Sequence, residues 1–326
     1  MSYRIGLLLV LLSCASLLSS HAQTLVTDIP VSGAPSGVAV DTASNRIYVS
    51  LGTSTGDSVA VIDGTTNTVI DTVAVPQAFV IATNPTNGRV YTAGCNFSQT
   101  PVSCGVTVID GRTDTVVTTI PIDTPSPNIG LQGIAVNSAT NRIYVADDNN
   151  FKVHVINGST NTFVAHIGIN RQQFLGLAAD PKTNQILAAV DGDEMAIING
   201  STNAIKRIKV GNFNANVAVN PSTSRAYVTN ETFAPSTVGV VNLHTLKVAA
   251  NVPTGNNLFG VCVDPYSNLI FVTNKGDNTV AVVDGTTDVK TGSVTVPGTF
   301  IDVNPMTKLV YTSDNAGANV VHVISE

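Results

Sequence analysis

The chain has 326 residues, of which 43% are hydrophobic and 12% are charged, and its formal net charge at pH 7 is −6. This balance argues against a general nucleic-acid-binding role, because affinity for phosphate backbones comes from clustered Lys and Arg. The apolar content is sufficient for a large packed core.

Residues 1–22 have the composition of a secretory signal peptide. Arg4 supplies the positive charge, residues 5–12 form the apolar core, and residues 20–22 resemble a cleavage site. The apolar stretch is too short to span a bilayer, so we expect no transmembrane segment in the mature chain. An alternative interpretation is a lipoprotein signal acylated at Cys14, which a bulky leucine in the motif disfavours. We predict an exported protein of the periplasm, cell surface or extracellular space.

One phrase recurs seven times in the rest of the chain: a small residue, Val-Ala-Val, Asp or Asn, a short turn, and then Arg-Ile-Tyr-Val. Its clearest copies begin at Gly37, Gly133 and Asn216. The residues that close the first run are Asp41, Asn84, Asn137, Asp180, Asn220, Asp264 and Asn304. A period of about 40 residues with four strands per unit is typical of the blades of a β-propeller.

Each unit predicts four antiparallel strands. In the first unit, runs rich in Val, Ile and Thr at 37–40, 46–50, 58–62 and 68–75 alternate with Gly-, Asn- and Asp-rich segments. The turn between the third and fourth strands begins with Asp or Asn, usually followed by Gly, as in tight hairpins. No segment has the apolar period of an amphipathic helix. We therefore predict an all-β, seven-bladed β-propeller.

The ends of the chain are predicted to close the ring. The seventh unit ends after its third strand at 320–324, and residues 24–31 match the fourth strand of blade 2 at 115–122. The N-terminal strand would complete the last blade in a 3+1 closure, which leaves no exposed central sheet edge. We expect one propeller domain over 23–326. The predicted blades span 37–76, 79–123, 133–169, 176–211, 216–253, 260–297, and 300–326 with 24–31.

Cys95 and Cys104 flank a loop insertion between the second and third strands of blade 2. Because an exported protein meets an oxidising compartment, we predict a disulfide between them. A metal held by these two cysteines alone is disfavoured. Cys262 lies in the first strand of blade 6 and is predicted to be a buried free thiol that packs as a small apolar residue.

Several runs resemble the YVTN β-propeller repeat family, which includes repeats of surface-layer and other exported microbial proteins. These are Tyr227-Val-Thr-Asn230, Phe271-Val-Thr-Asn274 and the Val-Ile-Asp-Gly-x-Thr-x-Thr-Val runs at 61–69 and 108–116. The resemblance extends over all seven units. It implies the fold and leaves the function open, because the shared residues are structural. Similarity to seven-bladed lactonase-like propellers is weaker.

Two columns of the repeat have predicted structural roles. Five tyrosines occupy one position of the second strand, where an aromatic ring packs between sheets while its hydroxyl bonds a backbone partner. They are Tyr48, Tyr91, Tyr144, Tyr227 and Tyr311. Arginines in a second column are expected to pair with turn carboxylates and carbonyls. They are Arg46, Arg89, Arg142 and Arg225.

Propeller ligands usually bind at the axis, on the face formed by the second-to-third-strand loops and the inter-blade connections. The candidate ligand-binding residues there are Asp147, Asp148, Arg171, Glu194, Asn230, Glu231, Asn274, Asp302 and Asp314. Four of them share one column, where the alternative interpretation is a polar side chain that caps the start of a loop. Phe213 and Phe259 add aromatic rings to this rim.

Asp302 stands where the first strands of the other blades have Ala or Cys. A carboxylate at this crowded position must be paired or hydrated, so it is either a binding group or a group solvated by channel water. Converging carboxylates and amides would suit Ca²⁺. Because no calcium-loop spacing is present, we predict no cofactor or metal site and keep Ca²⁺ as an open alternative.

No catalytic motif accompanies the repeat. His154, His166, His244 and His322 fall on outer strands and turns, away from the axis, so an acid/base site centred on histidine is not predicted. The first hypothesis is an exported, non-catalytic, monomeric binding propeller that holds a protein or carbohydrate partner of the cell envelope at its axial face. The alternative is a lactonase-like hydrolase that uses axial carboxylates, with or without a divalent cation.

Overall fold

The computed structural model describes residues 22–52, 56–97, 101–122, 130–169, 174–190, 192–231, 235–314 and 317–326. The predicted signal segment up to residue 21, Cys14 and Arg171 lie outside the described residues. Every regular element in the described ranges is a β-strand. These ranges contain no helix that is long and apolar enough to cross a membrane.

The strands form seven four-stranded antiparallel sheets, which confirms the predicted propeller. Blade 1 contains β2 Ala34–Asp41, β3 Arg46–Gly52, β4 Asp57–Asp63 and β5 Thr68–Val75; blade 2 contains β6 Val80–Asn84, β7 Arg89–Asn96, β8 Ser103–Asp110 and β9 Thr115–Ile122; blade 3 contains β10 Leu131–Asn137, β11 Arg142–Asp147, β12 Lys152–Asn157 and β13 Thr162–Gly168. Blade 4 contains β14 Phe174–Asp180, β15 Gln185–Val190, β16 Glu194–Asn199 and β17 Ile205–Lys209; blade 5 contains β18 Asn214–Asn220, β19 Arg225–Asn230, β20 Ser236–Asn242 and β21 Lys247–Gly255; blade 6 contains β22 Leu258–Val263, β23 Leu269–Asn274, β24 Thr279–Asp284 and β25 Val289–Thr295.

Blade 7 joins the two ends of the chain. It contains β26 Ile301–Asn304, β27 Leu309–Asp314, β28 Val320–Ser325 and, as its outermost strand, β1 Leu25–Pro30. β1 pairs antiparallel with β28, with Ile29 opposite Val321. The Thr24 N–H donates to Ser325 Oγ at 3.0 Å beyond the end of this ladder. The predicted 3+1 closure is therefore confirmed.

The core lies between the blades. The five column tyrosines and Phe271 are fully buried, and each apolar cluster combines residues of adjacent blades, as where Tyr144 packs with Ile186 and Ile198. Tyr48 donates to the Gly111 carbonyl in the next blade, as predicted. Tyr311 donates instead to a side chain, Asn67 Oδ1. These rings bury large apolar areas, so they stabilise the contact between blades.

The two faces of the propeller differ in their connections. The turn face carries the turns between the first and second and between the third and fourth strands of each blade. The mouth face carries the second-to-third-strand loops and the inter-blade connections. On the turn face, Arg46 donates to Gly111 O and pairs with Asp114 of the next blade at 2.8 Å. Arg225 pairs with Asp288 in the same way at 2.7 Å, and both pairs agree with the prediction for this column.

The turn after the first strand is closed by the same contact in every blade. The Asp or Asn that ends the strand accepts a hydrogen bond from the backbone N–H two residues further on. This Asx turn explains why the repeat requires a short polar side chain at that point. The residue before the second strand has positive φ, which favours Asn and Gly, as at Asn45 (54°) and Gly88 (69°).

Candidate axial binding site

An axial cavity opens among the innermost strands. It has a volume of about 150 Å³ and is lined by the start of the first strand of all seven blades. The residues at the equivalent positions are Gly37, Val80, Gly133, Gly176, Asn216, Gly260 and Phe300. Glycine occupies this position in four blades and leaves room at the axis, whereas Phe300 places an aromatic ring there.

Phe300, which lines this cavity, is the central one of three aromatic rings in contact. Its ring lies 5.5 Å from that of Phe79 and 5.3 Å from that of Phe259, measured between centroids, and both contacts are edge-to-face. This is the geometry that aromatic pairs prefer. All three side chains are only partly buried. They form the aromatic mouth, the name used below for Phe79, Phe259 and Phe300.

Lys275 places a positive charge beside the aromatic mouth. Its Nζ lies 5.0 Å from the centroid of the Phe259 ring, within the range of a cation–π interaction. Its backbone N–H donates to the Asn257 carbonyl at 3.0 Å. The neighbouring Asn256 Nδ2 donates to Asp277 Oδ1 at 2.7 Å. These bonds hold the Lys275 loop against the inter-blade connection that carries Phe259.

An apolar pocket of about 360 Å³ lies beside Phe79. Phe79, Leu131 and the exposed ring of Phe97 contribute to its walls. The disulfide between Cys95 and Cys104 is present, as predicted, and joins β7 to β8 at the base of the loop that carries Phe97. Since Phe79 belongs to both, the pocket and the aromatic mouth form one continuous surface.

The four predicted residues of the polar column lie at the ends of second strands and are buried. Asp147 accepts hydrogen bonds from the Asn150 N–H and side-chain amide. Asn230 Nδ2 donates to Thr237 Oγ1 at 3.3 Å, and Asn274 Nδ2 donates to Thr279 Oγ1 at 2.8 Å. Asp314 lies at the corresponding end of β27. The bonds of the first three cap loops within their own blades, and a ligand-binding role for this column stays a prediction.

The other predicted residues are spread over several blades. Asp148 is buried, and its N–H donates to the Gly130 carbonyl at 3.4 Å. Glu194 is half-buried and pairs with Arg207 at 3.2 Å on the outer part of blade 4. Glu231 is half-buried, and its N–H donates to the Phe213 carbonyl at 2.7 Å.

Asp302 lies in the seam between blades 7 and 1. Its Oδ2 accepts the Val40 N–H at 2.8 Å, and its Oδ1 accepts the N–H of Val303 at 2.9 Å. Burial raises the pKa of Asp302 to about 6, although both backbone bonds oppose the shift. The carboxylate therefore bonds the free edge of the neighbouring inner strand, where the other blades have a small residue.

Within the described ranges, no group of three or more His, Cys, Asp or Glu side chains is placed to hold a metal ion. The calcium alternative gains no support from this geometry and stays a prediction. Cys262 is buried and free, as expected, and burial raises the pKa of its thiol.

Phe79 and Phe300 were missed as site residues by the sequence analysis, which had included Phe259. The sequence does contain a signal for this site. Phe300 stands at a position that is Gly in four other blades, and two residues later Asp302 stands at a position that is Ala or Cys in the other blades. Two departures in one inner strand mark the place where the regular repeat is interrupted at the axis.

The fold and this axial opening define the protein as a seven-bladed β-propeller. No family model matches the chain, and no curated protein matches it either. Among solved structures, the chain is similar to hydrazine synthase from Kuenenia stuttgartiensis, with a TM-score of 0.74 and 17% sequence identity. The match covers 88% of this chain and 95% of that one. At this identity the likeness shows the propeller fold alone, and membership of the YVTN repeat family stays a prediction.

Proposed function

We propose that this protein is an exported, non-catalytic propeller that binds a protein partner through the aromatic mouth and the adjoining pocket. The observation that carries the proposal is the cluster of Phe79, Phe259 and Phe300, which stays partly exposed at the axis. Large apolar side chains left open to solvent in a concave site commonly mark an interaction surface.

The chemistry of the surface favours a peptide over a sugar. The pocket beside Phe79 is lined by apolar side chains and glycines, apart from the Cys95 sulfur and Gln132. A pocket of this kind suits one large aliphatic or aromatic side chain, as in the buried anchors of protein interfaces. Sugar sites instead need several polar side chains to bond the hydroxyl groups. Lys275 at the rim favours an acidic group near the anchor residue.

Two features support an exported location. The first 22 residues have the pattern of a signal peptide, and a disulfide bond closes the loop that carries Phe97. Disulfides persist in oxidising compartments and are rare in the cytosol. We propose that the partner belongs to the cell envelope or its surroundings.

The test is an array of acetylated hexapeptides, each with one large apolar residue, displayed with and without a neighbouring acidic residue, beside an oligosaccharide array. The best peptide is then titrated against purified protein. We expect Phe300→Gly, which restores the residue of four other blades, to weaken binding at least tenfold, because hot-spot residues contribute about 2 kcal/mol or more. The matched control is Tyr266→Ala, since this tyrosine is 73% exposed on the opposite face.

Equal affinity of wild type and Phe300→Gly would overturn the site. Binding confined to the oligosaccharide array would replace the peptide by a sugar. Unchanged thermal midpoints for both variants would show that a lost affinity does not come from unfolding.

One observation favours the hydrolase alternative. The pKa of Asp302 is raised to about 6 by burial, which is a property of general acids. We favour the binding role because both Asp302 oxygens already accept backbone hydrogen bonds. A lactone panel assayed with and without Ca²⁺ separates the two. Turnover that disappears in Asp302→Asn would establish the alternative.

A further inference from the structure

Two histidines face each other on the outer part of blade 3. His154 on β12 lies directly opposite His166 on β13. Their Nδ1 atoms are 2.6 Å apart, and the rings are nearly perpendicular with centroids 4.9 Å apart. His154 is buried, whereas His166 is exposed to solvent. Two neutral imidazoles at this distance must share a proton, with one Nδ1–H pointing at the lone pair of the other.

Asp147 determines which nitrogen of His154 carries a proton. Its Oδ2 lies 2.9 Å from His154 Nε2, and the carboxylate also accepts from the N–H and amide of Asn150 at 3.1 and 2.6 Å. A carboxylate placed this way accepts the hydrogen bond, so it requires Nε2–H on His154. That tautomer leaves a lone pair on Nδ1, aimed at His166.

The two Nδ1 atoms face one point, at which a cation could touch both rings. Neutral imidazole is the form that binds metal ions. In the absence of an ion, this point holds the proton that the two rings share.

We propose that this point is a binding site for a divalent cation of the Zn²⁺ or Cu²⁺ class, held by the Nδ1 atoms of His154 and His166. Imidazole suits these ions, whereas Ca²⁺ prefers oxygen ligands. On binding, the shared proton leaves Nδ1 of His166 and Nε2 of the same ring takes up a proton from solvent, so both rings stay neutral, and water completes the coordination. Asp147 does not touch the ion. It orients His154 through Nε2–H, as carboxylates behind metal-binding histidines commonly do.

The geometry requires a small movement of one exposed ring. Zn–N bonds of about 2.1 Å at a tetrahedral angle need the two nitrogens to be roughly 3.4 Å apart. His166 is on the edge strand and exposed, so its ring can move outward by less than 1 Å while His154 stays fixed by Asp147. Phe163 packs against both histidines, with centroids 5.7 Å from His154 and 5.1 Å from His166, and limits their other rotations.

Blade 7 offers a matched control. His322 occupies the same position of the third strand as His154, but its opposite residue is Asp28. His322 Nδ1 lies 2.7 Å from Asp28 Oδ1, so a carboxylate takes the place of the second imidazole. The proposed site needs two nitrogens and is therefore specific to blade 3.

The test uses untagged, chelator-treated protein, because a polyhistidine tag would bind the same ions. Calorimetric titration with ZnCl₂ and with CuSO₄ at pH 7.5 is expected to show one equivalent bound and a raised thermal midpoint. Copper electron paramagnetic resonance should show coupling to two nitrogens. Affinity should fall as the pH is lowered, because protons compete with the ion for both nitrogens.

His166→Asn is expected to abolish binding, whereas His322→Asn should leave it unchanged. Absence of the one-to-one binding event in wild type, or its persistence in His166→Asn, would overturn the proposal and leave a proton-sharing pair. This outcome is independent of the peptide test, since the mouth variant Phe300→Gly retains both histidines.

Discussion

On the turn face one hydrogen bond recurs between neighbouring blades, whereas on the mouth face the blades differ from one another. Four first strands end in Asn, and in each case the side-chain amide donates to an Asn Oδ1 in the turn of the next blade. The bonds join Asn84 to Asn141, Asn137 to Asn184, Asn220 to Asn268 and Asn304 to Asn45 at 2.7–2.9 Å.

The other three first strands end in Asp, and none of them meets an Asn. The following blades present Gly88 to Asp41, Ser224 to Asp180 and Lys308 to Asp264. Lys308 Nζ pairs with Asp264 at 2.7 Å. An amide can donate to the Asn oxygen and a carboxylate cannot, so the choice between Asn and Asp follows the residue of the next blade. At this position of the first strand, the turn face thus varies only in matched pairs.

The mouth face varies without such pairing. Phe300 and Asp302 depart from their columns in one strand, and blade 2 has a loop closed by a disulfide. Positions that depart from the repeat without a compensating partner are places where function, rather than folding, accounts for the residue. This contrast favours the mouth face over the turn face as the place where a ligand binds.

The largest effect is expected for the pH dependence caused by Asp302. Its pKa in the folded protein is about 6, above the ordinary 3.8, so the folded state binds more protons than the unfolded state between these values. Stability from this group is therefore lost as pH rises from 4 to 6. Relative to wild type, the free energy of unfolding of Asp302→Ala should rise by up to about 3 kcal/mol between pH 4 and pH 7, because one pKa unit corresponds to about 1.4 kcal/mol.

Urea denaturation of both proteins at several pH values measures this difference. The same Ala in blade 1, Ala39, shows that the position accepts the smaller side chain. Parallel stability curves for wild type and variant would contradict a raised pKa and would indicate a hydrated carboxylate.

The fold could be predicted because its determinants are local and repeated seven times. Turn residues such as Asp41 and Asn45 and the Tyr48 column recur at constant spacing, and residues 24–31 carry the motif of a fourth strand. The Cys95–Cys104 pair followed from its place at a loop insertion in a chain with a predicted signal peptide. Each of these inferences needed only the sequence pattern of a blade and its repetition along the chain.

The site could be predicted only in part because it depends on which blades meet. Phe79 and Phe300 belong to blades 2 and 7, and their rings touch across the start of blade 1. Likewise, Asp302 contacts Val40 of the neighbouring blade. The His154–His166 contact needs the strand register, since one residue of shift would place the two rings on opposite sides of the sheet. The repeat pattern predicts the structure of each blade. Contacts between residues that depart from the pattern are seen only in the three-dimensional structure.

The disulfide gives the next largest effect. Replacing Cys95 and Cys104 by Ser opens a loop whose ends are 9 residues apart. By loop-closure entropy the expected loss of unfolding free energy is about 2–3 kcal/mol. Denaturation of the double variant, with and without reductant, measures it. The variant should be insensitive to reductant, whereas wild type should lose the same amount when reduced.

A smaller loss is expected when the Asn pairing on the turn face is broken. Asn137→Asp places a carboxylate against the Oδ1 of Asn184, so we expect a loss of about 1–2 kcal/mol for a buried bond replaced by two facing acceptors. The second change Asn184→Ser reproduces the natural Asp180–Ser224 pair and should restore most of the stability. A single variant as stable as wild type would mean that the Asn184 amide turns over, and the pairing rule would fail.

The smallest effect distinguishes two arginines of one column. Arg46 in blade 1 bonds both oxygens of Asp114 in blade 2, and the two side chains are 27% and 11% exposed. For Arg142 in blade 3, the equivalent turn residue of the next blade is the amide Asn203. Arg46→Gln, which copies Gln185 of blade 4, should cost about 1 kcal/mol, since partly exposed ion pairs contribute little. The loss should shrink in 1 M salt because the attraction is screened.

Arg142→Gln in blade 3 removes no carboxylate partner in blade 4, so its smaller cost should not depend on salt. Equal salt dependence of the two variants would show that the Asp114 pair does not stabilise the contact between blades 1 and 2, and that the turn face is held by its amide bonds.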